Sequence, residues 1–558
     1  MDATPPPSTN APSGAPEAPP VYSAPGTKPL VSIPQIKNHL ALLHAFAELK
    51  LKVEDMAELG ISHLPSDQEP RWAWFIGLSV ERFEKWCKAL QPSHSDKALA
   101  TLLPPVDVLM VWHAYLLNPR WYAEDGDRVE ALKGLQCAGD ALATSLGSEL
   151  GELLASEPTK KRIDNWVKMT ATPFDPFEAA PQMVTRQIAC PKCRSVVCAP
   201  YMTESGTGYL QQGFAVRCVS EECSFEITKD TLALRKLASD LTRQDDMGGP
   251  VDGLASTVHS LDRKRGRMVE TAMLTCFSLQ PETLPSDVAS IGPDFVMERG
   301  DYKLDKLRAI LAMEMKGSHN GLIGRIMSAY VDDKLFSVDL VGAVLRQGSF
   351  VNKMYGLQWT QSGFFDRAED EVVLQHAIAR YHAFLGLMSS SPAAFFVPTL
   401  DIDLAWHTHQ LMATKYSKDT VDRVGRFIDH DDKVEESYLA SSFDTTCRAW
   451  KKRYGVQYTH CGCALPGETI GEKPAGLGTS RRREKIVERN VERGDPTCTV
   501  QHDPASLIPV PMYYKSVTAG PAIYQGDIVN GVGSAACGSG CGGGCGGGGC
   551  GGGCGGGI

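Results

Sequence analysis

Pro105-Val106-Asp107-Val108-Leu109-Met110-Val111-Trp112-His113 and Thr399-Leu400-Asp401-Ile402-Asp403-Leu404-Ala405-Trp406-His407 are two copies of one pattern. The Asp, the Trp-His pair and the apolar positions between them are in register, and such self-similarity marks duplicated helical units. Upstream of each copy stands a similar helical stretch, Arg82-Phe83-Glu84-Lys85-Trp86 before the first and Arg380-Tyr381-His382-Ala383-Phe384 before the second. The repeated unit is therefore a helix pair carrying an Asp-x4-Trp-His motif. It makes the chain mainly α-helical, built of two related halves.

Working outward from the first copy, Pro104-Pro105 sets an extended entry and Asp107 stands where an N-cap belongs, its carboxylate placed to accept from free backbone amides. Asn118-Pro119 ends the Trp112-His113 helix, because the residue before a proline is pushed out of the helical region. Leu40, Leu43, Phe46 and Leu49 recur at helical spacing and predict a helix over 36–53. A second amphipathic helix is expected over 71–90. Around the second copy, helices are expected over 300–330, 338–354 and 438–454, and Asp339 in Phe336-Ser337-Val338-Asp339 reads as a helix cap.

Between the halves the character changes to short β-like pieces, Ser195-Val196-Val197, Phe214-Ala215-Val216-Arg217 and Phe225-Glu226-Ile227-Thr228. Cys190-Pro191-Lys192-Cys193 opens this piece and Cys218-Val219-Ser220-Glu221-Glu222-Cys223 sits on its far side. Two cysteine knuckles separated by strands are what a tetrahedral zinc site needs, and four filled positions imply a structural ion. The zinc ligands are expected to be Cys190, Cys193, Cys218 and Cys223. The competing readings are buried free thiols and Cys198 as a substitute ligand.

The chain divides accordingly into a Pro/Ala-rich leader over 1–30, a first helical half over 31–183, a zinc-ribbon-like insertion over 184–230 and a second helical half over 231–463. A weakly ordered linker over 464–536 and a Cys/Gly-rich tail over 537–558 follow. Neither the leader nor the tail has the side chains to form a core, so both are expected to be disordered. The tail's thiols could wrap a soft metal. His460-Cys461-Gly462-Cys463 lacks a second knuckle.

At 558 residues, 43% hydrophobic and 22% charged, the composition is that of a globular protein of two or three domains. Lys and Arg total 56 against 66 Asp and Glu, a net charge of −10, so no global field draws it to nucleic acid or an anionic membrane. Without a secretory start or a run of about 20 apolar residues, the chain is expected to be intracellular, cytoplasmic or nuclear, and free of the membrane. In that reducing setting the 17 cysteines read as ligands or thiols rather than a disulfide framework.

Asp403, His407 and His409 raise a metal-dependent enzyme, since two histidines and a carboxylate form the facial set of non-haem iron oxygenases. On a helix, however, His407 and His409 diverge by roughly 160°, and the first copy offers Leu109 and Tyr115 at the positions of Asp403 and His409. The simpler reading of the shared residues is a cap, a core aromatic and a satisfied core histidine. No Walker loop, Gly-x-Gly-x-x-Gly, Gly-x-Ser-x-Gly or His-Glu-x-x-His occurs.

With Asn38-His39-Leu40-Ala41-Leu42-Leu43-His44-Ala45-Phe46, the two repeats, Phe336 to Val341 with Arg346-Gln347, and above all Trp406-His407-Thr408-His409-Gln410, the chain resembles the glycine-rich domain-containing protein-like family, especially its fungal-type members. The resemblance covers roughly residues 30–463 and implies a core domain of unknown function. Plant members carry a segment similar to an RNA-binding motif, and fungal members are sometimes labelled as 2-oxoglutarate-dependent dioxygenases. The expected function is a non-enzymatic interaction or scaffold protein with a structural zinc site and protein partners. A metal-dependent enzyme using His407 with Asp403 or His409, and possibly His113, is the alternative, and nucleic-acid binding through the zinc module is a weaker one.

Overall fold

The computed structural model describes residues 28–458 apart from 57–60, 62–63, 93–98, 243–272, 276–291, 315–319 and 431–435. The linker, the Cys/Gly tail, His460-Cys463 and nearly all of the leader lie outside the described residues.

The described residues are mainly helical. Helix α1 (Ile33–Glu54) begins earlier than its apolar spacing predicts, because Ser32 and Gln35 form a capping box. The Ser32 backbone N–H donates to Gln35 Oε1 at 2.8 Å and the Gln35 N–H to Ser32 Oγ at 3.4 Å. There follow α2 (Gln68–Ala89), α3 (Leu99–Leu102), α4 (Val106–Leu116), α5 (Pro119–Arg128), α6 (Lys133–Leu146), α7 (Leu150–Ala155), α8 (Lys160–Thr170) and α9 (Pro176–Ala179). Pro119, which ends α4, is also the first residue of α5, where its missing N–H costs nothing.

Asp107 is not the cap of α4. The N-cap position is Pro105, and Asp107 lies inside the first turn with its carboxylate turned to the Arg82 guanidinium of α2, 2.8 Å away. A fully buried carboxylate gains more from a charged donor than from backbone amides, and the second copy repeats the arrangement. Asp339, by contrast, does cap its helix, its Oδ1 accepting from the Gly342 N–H at 3.1 Å.

The insertion holds two antiparallel hairpins. Strand β1 (Thr185–Ala189) pairs with β2 (Val196–Pro200) in the register Ile188↔Val197, and β3 (Ala215–Arg217) pairs with β4 (Glu226–Thr228) in the register Val216↔Ile227. The β1 strand comes before the pieces the residue pattern picked out. Arg186 on β1 fastens the module to α2, donating to Glu81 at 2.6 Å and Glu84 at 2.8 Å, and Lys334 closes on the same Glu81 from the second half.

The chain continues with α10 (Lys229–Thr242), α11 (Pro293–Arg299), α12 (Leu304–Glu314) and α13 (Asn320–Ser328). These bury a small core of their own around Leu234, Leu237, Val296, Leu307 and Ile326. The second repeat is α14 (Leu340–Gly356), α15 (Ala368–Ser390), α16 (Leu400–Gln410) and α17 (Ala413–Val424), closed by α18 (Glu436–Tyr454).

One hydrophobic core runs through both repeats. Helix α1 packs on α14, α15 and α16 as well as on α2 and α4, and α14 in turn packs on α2 and α4. The two copies therefore share an interior, and the Trp-His helices α4 and α16 face into it. No helix among the described residues is long and apolar enough to cross a membrane.

Candidate metal centre and the histidine core

Cys190, Cys193, Cys218 and Cys223 come together, their sulfurs all within 4.8 Å of one another. Cys193 Sγ lies 3.4 Å from Cys218 Sγ, and Cys190 Sγ lies 3.8 Å from Cys223 Sγ. An ion bound to four sulfurs at about 2.3 Å spaces them by about 3.8 Å, so the cluster has the size of a tetrahedral thiolate site. Cys198 stands on β2, exposed and outside this group.

The two knuckles close alike. The Cys190 N–H donates to Ser195 O and the Cys218 N–H to Phe225 O, at 2.8 and 2.9 Å. The residue after the second cysteine of each, Arg194 with φ 69° and Ser224 with φ 42°, takes a left-handed backbone, a conformation that costs energy for a residue with a side chain. Both thiols of each knuckle join the one cluster. Hydrogen bonds from Ser195 draw the Cys193 thiol down to about 6, whereas burial pushes Cys190 up to about 12. Four converging soft donors fit a thiophilic ion and leave no position for a substrate.

The Asp-x4-Trp-His copies are equivalent well beyond the motif. Arg82 pairs with Asp107, and Arg380 with Asp401 at 2.9 Å. The Trp406 Nε1–H donates to Tyr416 OH at 2.8 Å, and Trp112 stands beside Tyr122 at the same sequence spacing. Tyr115 donates to Asp125 at 2.7 Å where the second copy sets His409 against Asp419 at 3.2 Å. Phe46 meets the His113 ring edge-on, as Phe350 meets His407.

His113 and His407 are thus pseudo-equivalent, and both are buried in the shared core. Neither is satisfied by backbone in the way a lone core histidine would be. His113 Nε2 lies 2.9 Å from Nε2 of His39 on α1. His407 Nε2 lies 3.1 Å from Nε2 of His430 and 3.2 Å from Asp403 Oδ1. Burial, with His407 nearby, holds His113 down at about 3, and burial together with His113 and His407 keeps His39 well below the usual imidazole range. His113 and His39 are therefore neutral at physiological pH.

His409 takes no part in this centre. Helical geometry turns it away from His407 onto Tyr381 OH, 2.9 Å from Nδ1, and Asp419. The third member beside Asp403 and His407 is His430, which the sequence reading did not single out. It follows Gly425, whose left-handed φ of 79° ends α17 and returns the chain toward α16, and no periodicity marks such a loop residue. His39 lies within the motif Asn38 to Phe46 without a partner visible in sequence.

The fold and its clusters define a duplicated helical protein with a four-cysteine β module and a histidine-lined interior. Residues 312–419 match the model of the glycine-rich domain-containing protein-like family, so this part of the chain is similar to that family. It is similar to glycine-rich domain-containing proteins 2 and 1 of Arabidopsis thaliana, at 35% and 34% identity over 145 residues. The match covers 25% of this chain and 17% of each relative, so the chain spans under a fifth of the curated relatives' length. No solved structure matches the chain. The function of the family is not established.

Proposed function

We propose that the chain is a non-enzymatic interaction protein whose duplicated helical body serves protein partners and whose Cys190, Cys193, Cys218 and Cys223 hold one structural zinc ion. The observation that carries the reading is the closed four-sulfur cluster, with every position of a tetrahedral ion filled by protein. Zinc is favoured because it takes four thiolates without a redox change and needs no crystal-field geometry. The burial of His113 and His407 supports the same reading, since a catalytic metal requires a face open to substrate. Lys192, Arg194 and Arg217 are too few to make the module a nucleic-acid surface.

Elemental analysis of the full chain, purified without a metal-chelating tag, tests the zinc. Zinc bound in the wild type and reduced by about one ion in both Cys190→Ser and Cys218→Ser supports it, and unchanged zinc in both variants overturns it. The non-enzymatic half is tested by oxygen consumption with iron(II) and 2-oxoglutarate. Turnover in the wild type that His407→Ala abolishes, with the fold intact, would replace this reading by an oxygenase.

A further inference from the structure

We propose that Asp403, His407 and His430 form a second metal site, for a divalent transition-metal ion, buried in the core and separate from the four cysteines. The three donor atoms make a triangle with sides of 3.1, 3.2 and 4.0 Å. An ion bonded to nitrogen and oxygen at about 2.0–2.2 Å sets neighbouring donors about 3–3.5 Å apart, so the triangle is close to one face of a coordination shell. Two imidazoles and one carboxylate are a donor set for zinc, iron(II) or cobalt(II).

The hydrogen inventory points the same way. His430 Nδ1 lies 3.1 Å from the Leu117 carbonyl oxygen, which can only accept, so Nδ1 carries the hydrogen and in the neutral ring Nε2 is a lone pair. That lone pair faces His407 Nε2. A hydrogen on His407 Nε2 serves either the His430 lone pair or Asp403 Oδ1, 3.2 Å away, but not both, and beyond these the charge of Lys353 also acts on Asp403. His407 Nδ1 has no partner with or without an ion. A buried carboxylate that must compete for one imidazole hydrogen is costly. A cation at the centre of the triangle accepts all three lone pairs at once, and the Leu117 carbonyl on His430 is the kind of outer contact that orients a ligating imidazole.

The first copy lacks the site. Leu109 stands where the second has Asp403, and His113 faces His39, whose Nδ1 donates to Thr408 Oγ1 while that hydroxyl donates to Leu404 O. Duplication thus yields one His-His pair without a carboxylate and one with it. With Asp403, His407 and His430 at 2%, 0% and 6% exposure, the ion has no path for a substrate and acts as a brace. It ties the loop after α17 to α16, and through Leu117 O to the first copy, so its binding energy is folding energy.

Metal content of the full chain tests the site, with Cys190→Ser as the variant that separates it from the cysteine module. Asp403→Asn and His430→Gln are expected each to lose about one ion per chain relative to wild type, with the Cys190→Ser loss additive to theirs. Wild-type content in both Asp403→Asn and His430→Gln overturns the proposal whatever Cys190→Ser does. Should both variants fail to fold, X-ray absorption at the metal edge of the wild-type protein decides. Imidazole outer-shell scattering beside a sulfur shell supports the site, and a purely sulfur environment overturns it.

Discussion

Arg380 Nε stands 2.9 Å from Asp401 Oδ2, and both side chains are 1% exposed. The guanidinium also donates to Thr399 Oγ1 and to the Tyr458 carbonyl, at 3.0 and 2.9 Å. In the first copy Arg82 meets Asp107 at 2.8 Å and donates to the Pro173 and Phe174 carbonyls. Each pair fixes a Trp-His helix against a long helix upstream of it, α2 for α4 and α15 for α16, and each guanidinium also anchors the segment of chain that closes its half.

Breaking such a pair strands a buried charge, which costs about 3–5 kcal/mol. Arg380→Ala is expected to lower unfolding stability in urea by that amount, and Arg82→Ala similarly. Replacing both partners, as in Arg380→Met with Asp401→Leu, should recover much of the loss, because no lone charge remains. A double variant as unstable as Arg380→Ala alone would show that shape, rather than charge, sets the cost.

Arg186 is the corresponding anchor of the β module. It donates to Glu81 and Glu84, and to Asp333 at 3.2 Å. Burial alone would raise the Glu81 carboxyl, yet Lys334 and Arg186 hold it down at about 2. Arg186→Ala is expected to raise amide exchange in residues 185–228 and along α2 well above the rest of the chain. Uniform exchange across the molecule would mean that the module is held by its apolar contacts instead.

The helical duplication was legible in the sequence because a Trp-His pair, an Asp and apolar positions repeat in register, and burial on a helix forces that periodicity. The cysteine cluster was legible because knuckle spacing is local. Asp107 was misread as a cap because its partner, Arg82, lies on another helix, and sequence distance hides a buried ion pair. His430 was missed for the same reason: it reaches Asp403 and His407 from a loop, where no period constrains it. Tyr122 with Tyr416 and Asp125 with Asp419 could have been found by extending the repeat past His113 and His407.

Gly208 tests the module's packing. A Cβ there would meet Tyr201 O at 2.4 Å and Met202 Cα at 2.7 Å, both backbone atoms that cannot swing aside. The same stretch is held by Tyr209 N–H to Pro200 O at 2.8 Å and Leu210 N–H to Tyr201 O at 3.0 Å. Gly208→Ala should therefore cost about 1–3 kcal/mol, the usual range for overpacking. Gly324→Ala, where a Cβ meets nothing within 4 Å, is the matched control and should be neutral or slightly stabilising, since alanine is the better helix former.

Acid should loosen the fold before Glu81 protonates, with Glu124, which burial lifts to about 7, opposing the loss in part because the folded chain binds its proton first. Burial depresses His39 well below the ordinary imidazole range and holds His113 at about 3, and burial together with Arg423 holds His382 at about 4. His382 Nε2 accepts the Leu30 N–H at 3.0 Å, a bond that requires the bare nitrogen. For a base with a depressed folded pKa the unfolded chain binds more protons, so stability is full above about 6.5 and falls as pH drops toward the folded values. Each such histidine contributes a slope of up to about 1.4 kcal/mol per pH unit. Glu81, with its folded value near 2, adds its own loss only below the unfolded carboxylate range of about 4.3. Urea midpoints at pH 7.5, 6.5 and 5.5 should therefore hold nearly level across the first interval and drop across the second. A midpoint unchanged down to pH 5.5 would mean that these imidazoles reach water or a counter-charge in the folded protein, and His113→Gln, which cannot protonate, should flatten the lower interval in proportion to its share.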